Sequence, residues 1–105
     1  MSNLIKTPPP PYYAVIFTST RTNVDNGYDE TASKMAELAK QQPGFLGIES
    51  ARDSLGITVS YWTCLEAIKQ WKSHAEHIKA QKEGRDSWYA SFNVRIAKVE
   101  RDYSL

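Results

Sequence analysis

Cysteine is nearly absent: Cys64 is the only one in 105 residues. An intrachain disulfide, a cysteine-rich zinc module and a CxxC redox pair are therefore excluded. A surplus of one charge is also lacking, since 13 Lys and Arg stand against 12 Asp and Glu. An electrostatic nucleic-acid binder needs a basic surplus on one face, so no nucleic-acid partner is expected. No apolar run approaches the roughly 20 residues of a membrane-spanning helix. The first residues form no secretory hydrophobic segment, which makes the cytoplasm the default compartment and leaves no membrane partner. The glycines compose neither GxGxxG nor a phosphate-binding loop, no serine lies in GxSxG, and the two histidines form no HExxH. Nucleotides, flavins and covalently attached cofactors thus have no signature, and no metal site is expected.

What the chain does hold is an ordinary globular balance of 41% hydrophobic and 24% charged residues, with 11% aromatics. Its length suits one domain, which buries roughly two-thirds of its unfolded surface and folds without staples. Residues 1–11 read as an arm ahead of a domain over 12–105, because Pro8 to Pro11 lack amide donors and favour an extended, stiff lead-in.

Tyr12 to Thr20 reads as a strand with Tyr13, Val15 and Phe17 on one face and Tyr12, Ala14 and Ile16 on the other. Both faces are apolar, the mark of a strand covered on both sides. Asn26 suits a helix cap, with Asp29 and Glu30 in the first turn and Tyr28, Ala32, Met35 and Leu38 or Ala39 at helical spacing. Pro43-Gly44 ends that helix. Phe45 to Arg52 and Ile57 to Trp62 read as a hairpin around Asp53-Ser54-Leu55-Gly56. Cys64, at the end of the second hairpin strand, reads as a half-buried inert thiol. Thr63 and Glu66 fit a capping box for a second helix with Leu65, Ile68, Trp71 or Lys72, Ala75 and Ile78 on its stripe, ending near Gly84. A last strand runs over about 91–101, with Phe92, Val94 and Ile96 on one face.

The order β-α-β-β-α-β predicts an α+β fold, a ferredoxin-like sandwich with one four-stranded antiparallel sheet and both helices on one face. The opposite face would stay apolar in water, which predicts a second copy of the chain pressed sheet to sheet in a two-fold homodimer.

Chemistry-bearing residues gather in and after the second helix. His74 and His77, three apart, lie on neighbouring positions of one helix face, where an imidazole can take a proton near neutral pH. As a metal site the pair is only half complete, and as ordinary surface side chains the two histidines need no function at all. Trp62, Trp71 and Trp88 can wall an apolar pocket or simply fill the core. Tyr61, Tyr89 and Arg85 are candidate donors to a ligand oxyanion, Arg85 equally a cation satisfying the helix dipole.

From Tyr12 to Tyr103 the sequence resembles the antibiotic biosynthesis monooxygenase domain family of the dimeric α+β barrel superfamily. The likeness is densest in Ser60-Tyr61-Trp62-Thr63, in Trp71-Lys72-Ser73-His74-Ala75-Glu76-His77, at Trp88-Tyr89 and from Val94 to Arg101, with Pro43-Gly44-Phe45 between first helix and second strand. The resemblance implies a homodimer whose two sheets form a barrel, each subunit holding a pocket between sheet and helices. It further implies a small-molecule monooxygenase that oxidises an aromatic or phenolic substrate with O2 and needs no metal or flavin. His74 or His77 would then take the proton, Trp62, Trp71 and Trp88 would wall the pocket, and Tyr61, Tyr89 or Arg85 would meet the oxyanion. Haem-degrading relatives are the alternative. They pair a helix-two tryptophan with a histidine three turns on, where this chain has Gln81, and carry an asparagine on the first strand, which residues 14–20 lack. A third alternative is a non-catalytic dimer that only binds a small molecule.

Overall fold

A computed structural model describes residues 4–23, 27–83 and 88–105, without the side chains of 77–83. Its elements run β1 (Tyr12–Arg21), α1 (Tyr28–Lys40), β2 (Phe45–Arg52), β3 (Gly56–Trp62), α2 (Leu65–Glu83) and β4 (Tyr89–Val99). One antiparallel sheet orders the strands β2-β3-β1-β4. This is the ferredoxin-like β-α-β-β-α-β arrangement that the alternation of strand and helix periods predicts.

Local chemistry explains the element ends, sometimes through other residues than the sequence suggests. The α1 cap is Gly27 in the left-handed region at φ 75°, not Asn26, which lies outside the described residues. Asp29 and Glu30 do occupy the first turn, against the positive end of the helix dipole. Thr31 and Ala39 are the buried α1 positions, while Ala32 is exposed. The second helix starts one residue later than a Thr63 cap requires: the Cys64 carbonyl accepts the first helical bond, from the Ile68 amide at 3.4 Å. That shift leaves Leu65 exposed and puts Ala67 and Ile68 into the core. It also leaves Cys64 exposed at the helix entrance, not half-buried. Gly44 is required twice over. Its φ is 86°, and a Cβ there would stand 2.7 Å from the Ala67 methyl and 2.8 Å from Thr63 Oγ1. The Pro43-Gly44-Phe45 turn thereby seats the start of α2 against the start of β2.

The pairing register fixes what each sheet face carries. Tyr13 lies opposite Trp62 and Val15 opposite Ser60, and on the other side Val15 pairs Ile96 and Phe17 pairs Val94. Opposed residues point the same way, so Tyr13, Val15, Phe17, Trp62, Phe92, Val94 and Ile96 share the face that meets the helices. There Trp62, Ala67 and Ile68 form the core cluster, with Tyr13, Val15, Phe45 and Trp71 packed around it.

The opposite face is treated differently. The chain's own arm lies on one end of it. The Ile5 side chain sits on Gly47, where any Cβ would collide with it, and the Ile5 amide donates to Glu49 Oε2 at 3.2 Å. Thr7 Oγ1 lies 3.0 Å from the Tyr12 hydroxyl, which donates to Asp102 beyond β4. Tyr61 donates to Glu49 Oε1 at 2.8 Å and meets Tyr12 edge-on at 5.9 Å. Tyr12 and Ala14 are consequently buried within a single chain. The remaining part of this face keeps Ile57 41% exposed, beside half-buried Ile16 and Val59. Self-coverage is therefore partial, a compromise that the apolar pattern of β1 alone does not disclose.

Candidate functional site

α2 connects β3 to β4 and lies over the middle of the sheet, so the helix-facing side of edge strand β4 is only half covered. Phe92, Val94 and Ile96 are 54%, 49% and 52% exposed there. Side chains of this size are normally removed from water. With Val15 and Phe17 of β1 they make one apolar surface on the helix-facing side of the sheet, the floor of a candidate cleft beside α2.

One wall begins in the core. Trp62 is fully enclosed, its indole nitrogen donating to Ser60 Oγ at 2.9 Å, and Phe45 packs on it edge-on at 5.4 Å. Trp71 stacks on Trp62 at 6.2 Å with 25° between the rings, and His74 leans on Trp71 at 5.8 Å. Burial decreases along this series, from enclosed Trp62 through half-buried Trp71 to exposed His74. The imidazole therefore stands at the solvent-exposed end of this stack, while Trp62 serves as the backing of Trp71.

The far end is a second aromatic group. Phe17 meets Tyr89 at 5.3 Å and Phe92 at 5.5 Å. Tyr28, at the start of α1, is edge-on to both Trp88 at 5.6 Å and Tyr89 at 5.9 Å. The Arg21 guanidinium covers the Tyr28 ring at 3.5 Å, and its Nε donates to the Trp88 carbonyl at 3.1 Å. Burial holds the Tyr89 phenol well above its ordinary pKa, its hydrogen bond with Tyr28 adds to this, and Arg52 and Arg21 oppose it. Tyr89 is consequently a neutral donor at any physiological pH.

Of the residues singled out in the sequence, Trp62, Trp71 and His74 come together at one end and Trp88 and Tyr89 at the other. Tyr61 is separated from both groups, because odd and even positions of β3 point to opposite faces. Burial first, and then the Glu49 carboxylate, push its pKa up to about 12. His77 is within α2 but its side chain, like all of Arg85, lies outside the described residues. Sequence reasoning missed the floor. It recognised Val15 and Phe17 as one set and Phe92, Val94 and Ile96 as another, yet which faces coincide depends on a pairing register that neither strand states alone.

Among the described residues no three His, Cys, Asp or Glu side chains gather as a metal site. A haem iron would need an axial imidazole, and His74, exposed beside Trp71, is the one histidine whose side chain is described. A separate hollow of about 180 Å³ beside Pro43, Cys64, Glu66 and Gln70 has no aromatic lining.

No protein-family model matches the chain. The Bacillus subtilis (strain 168) protein YqjZ, itself uncharacterized, is 56% identical over 103 residues, which are 96% of this chain and 90% of that protein. Among solved structures, SnoaB, a cofactor-independent oxygenase from Streptomyces nogalater, superposes with a TM-score of 0.66 at 13% identity, covering 87% of this chain and 95% of its own. The haem degrader MhuD from Mycobacterium tuberculosis gives 0.64 at 16% identity, covering 88% and 99%. A candidate antibiotic biosynthesis monooxygenase from Chloroflexus aurantiacus gives 0.60 at 19% identity, covering 90% and 96%. Two chemistries thus occur on this one backbone, and the fold alone does not choose between them. The chain belongs to the family of YqjZ, and its fold is that of the antibiotic biosynthesis monooxygenase domain.

Proposed function

We propose that this protein is a homodimeric monooxygenase that oxidises a small aromatic or phenolic molecule with O2, using no metal or flavin. The reading is supported by the half-exposed row of Phe92, Val94 and Ile96 on the sheet face that also meets the Trp62–Trp71–His74 stack. A flat, apolar substrate covers that row with its ring against Trp71, and its hydroxyl points to the solvent-exposed end where His74 stands. His74 takes the phenol proton, with His77 as the second candidate from the sequence, and leaves an electron-rich phenolate in a site screened from water. The ring supplies all four electrons: one atom of O2 becomes the new quinone carbonyl, and the other leaves as water with the hydrogen of the attacked ring carbon and the phenol proton that His74 took. Tyr89, held neutral by burial and by its hydrogen bond with Tyr28, borders the far end of the site. The remaining apolar part of the opposite face, around Ile57, Ile16 and Val59, is where the second subunit docks.

Oxygen uptake across a panel of mono- and polycyclic phenols tests the reading. A turned-over phenol is expected, with His74→Ala slowing it about 100-fold and Trp71→Ala raising KM. Phenol binding without oxygen uptake would make the protein a non-catalytic binder. A Soret shift on haem titration, lost in His74→Ala, would favour the haem-degrading alternative. Sedimentation at micromolar concentration is expected to give twice the chain mass.

A further inference from the structure

One exposed cation on this side of the sheet has no role in the chemistry above. Arg52 closes β2, and its side chain turns back across β3 toward β1. Its Nη1 donates to the Ser19 carbonyl at 3.4 Å and its Nη2 to Ser19 Oγ, and Ser19 is only 2% exposed. Between the two strands lies Gly56. A Cβ at Gly56 would occupy the space of the guanidinium itself, although the backbone there is not left-handed. This glycine is thus explained by what lies on it: a planar cation pressed flat on the sheet.

The register sets the address of that cation. Arg52 pairs Gly56, Gly56 pairs Ser19, and Ser19 pairs Phe92, so one row crosses all four strands on the helix-facing side. The guanidinium therefore borders the Phe17–Phe92 ring pair, and its field reaches the Tyr89 phenol. Among the described residues no carboxylate pairs with Arg52. A guanidinium presents five N–H donors in a fixed fork, and the Ser19 contacts use two of them. An arginine held this way, next to aromatic surface and without an acidic partner, has the chemistry to receive a carboxylate.

We propose that Arg52 anchors an anionic ligand group, so that the preferred ligand is an aromatic carboxylate: its ring lies on Phe17 and Phe92, and its carboxylate meets the Arg52 fork. The inference rests on the cleft reading above and names its substrate class. It also orients the ligand, placing the acid end at the Arg52 row and the opposite edge of the ring toward Trp71 and His74.

Calorimetric titration with hydroxynaphthoic acid and with its neutral amide tests the proposal, because the two probes differ only in charge at one group. The wild-type protein is expected to bind the acid about tenfold more tightly. Arg52→Gln should bring the ratio near one. Gly56→Ala should do the same by displacing the guanidinium while leaving net charge intact. Equal binding of acid and amide by the wild type, or a ratio that survives Arg52→Gln, would overturn this inference and leave the cleft standing. Failure of both probes to bind would remove the cleft reading and the anchor together.

Discussion

The two faces of the sheet solve the same problem in opposite ways. Each carries apolar side chains from β1, and each is covered only in part. On the helix side the cover comes from distant sequence and is tight over β3 and β1, but it stops short of β4, so Phe92, Val94 and Ile96 stay open. On the other side the cover is local to the chain ends: the arm around Ile5 and Thr7 and the tail at Asp102 close over Tyr12, Tyr61 and Glu49 through hydroxyl and carboxylate contacts. The lesson is that incomplete coverage has two meanings. An apolar gap walled by Trp71, Phe17 and Tyr89 suits a small molecule, whereas a flatter one around Ile57 suits another protein surface.

Substitutions should sharpen this contrast. Trp62→Ala removes the backing of the cleft wall and leaves a core void, so denaturant unfolding should show a loss of about 3–5 kcal/mol. The opposite face should respond more mildly. Removing residues 1–7 uncovers Gly47 and should cost about 1–2 kcal/mol. Gly47→Ala should reproduce most of that loss in the full chain and add nothing in the truncated one, since both changes dislodge Ile5. An additive result would mean that the arm does not hold this face. Phe92→Ser, on the open floor, should change stability by about 1 kcal/mol or less while weakening aromatic ligands about tenfold. An equal stability loss in Phe92→Ser and Trp62→Ala would show that the floor is core and not a site.

The smallest effect is confined to alkaline pH. Tyr61 holds its proton up to about pH 12, whereas in the unfolded chain it releases it near 10. The stability tied to this neutral phenol is therefore whole below pH 10 and is lost as pH rises toward 12. Tyr61→Phe should flatten that part of the stability profile and leave the cleft unchanged, because Glu49 and Tyr61 lie on the other side of the sheet.

Much of the fold is legible in the sequence because it is written in local periods. The alternation in 12–20, the helical spacing after Tyr28, the turn at 53–56 and the stop at Pro43-Gly44 each state their element without reference to the rest. The half of the site carried by α2 is legible for the same reason: Trp71 and His74 are one turn apart, and their contact follows from helix geometry. What is illegible depends on long-range pairing. That Ser19 would face Phe92, that Arg52 would reach across Gly56, or that Ile5 would rest on Gly47 requires knowing which strands are neighbours and in what register. Glycine at 47 and 56 is the trace these approaches leave in the sequence, but a glycine in a strand announces only that something comes close, not what. The arm shows the same limit. Four prolines declare a stiff segment and say nothing of the surface it will lie on.

The meeting of Thr7, Tyr12 and Asp102 has a practical consequence for connectivity. Stretches 95 residues apart along the chain are within hydrogen-bonding distance here. A short bridge joining the two ends, with new termini opened in the exposed turn at 53–55, would preserve every strand pairing while converting the arm and tail into an ordinary surface loop. Such a rewired molecule should fold, and it would hold the strap permanently in place.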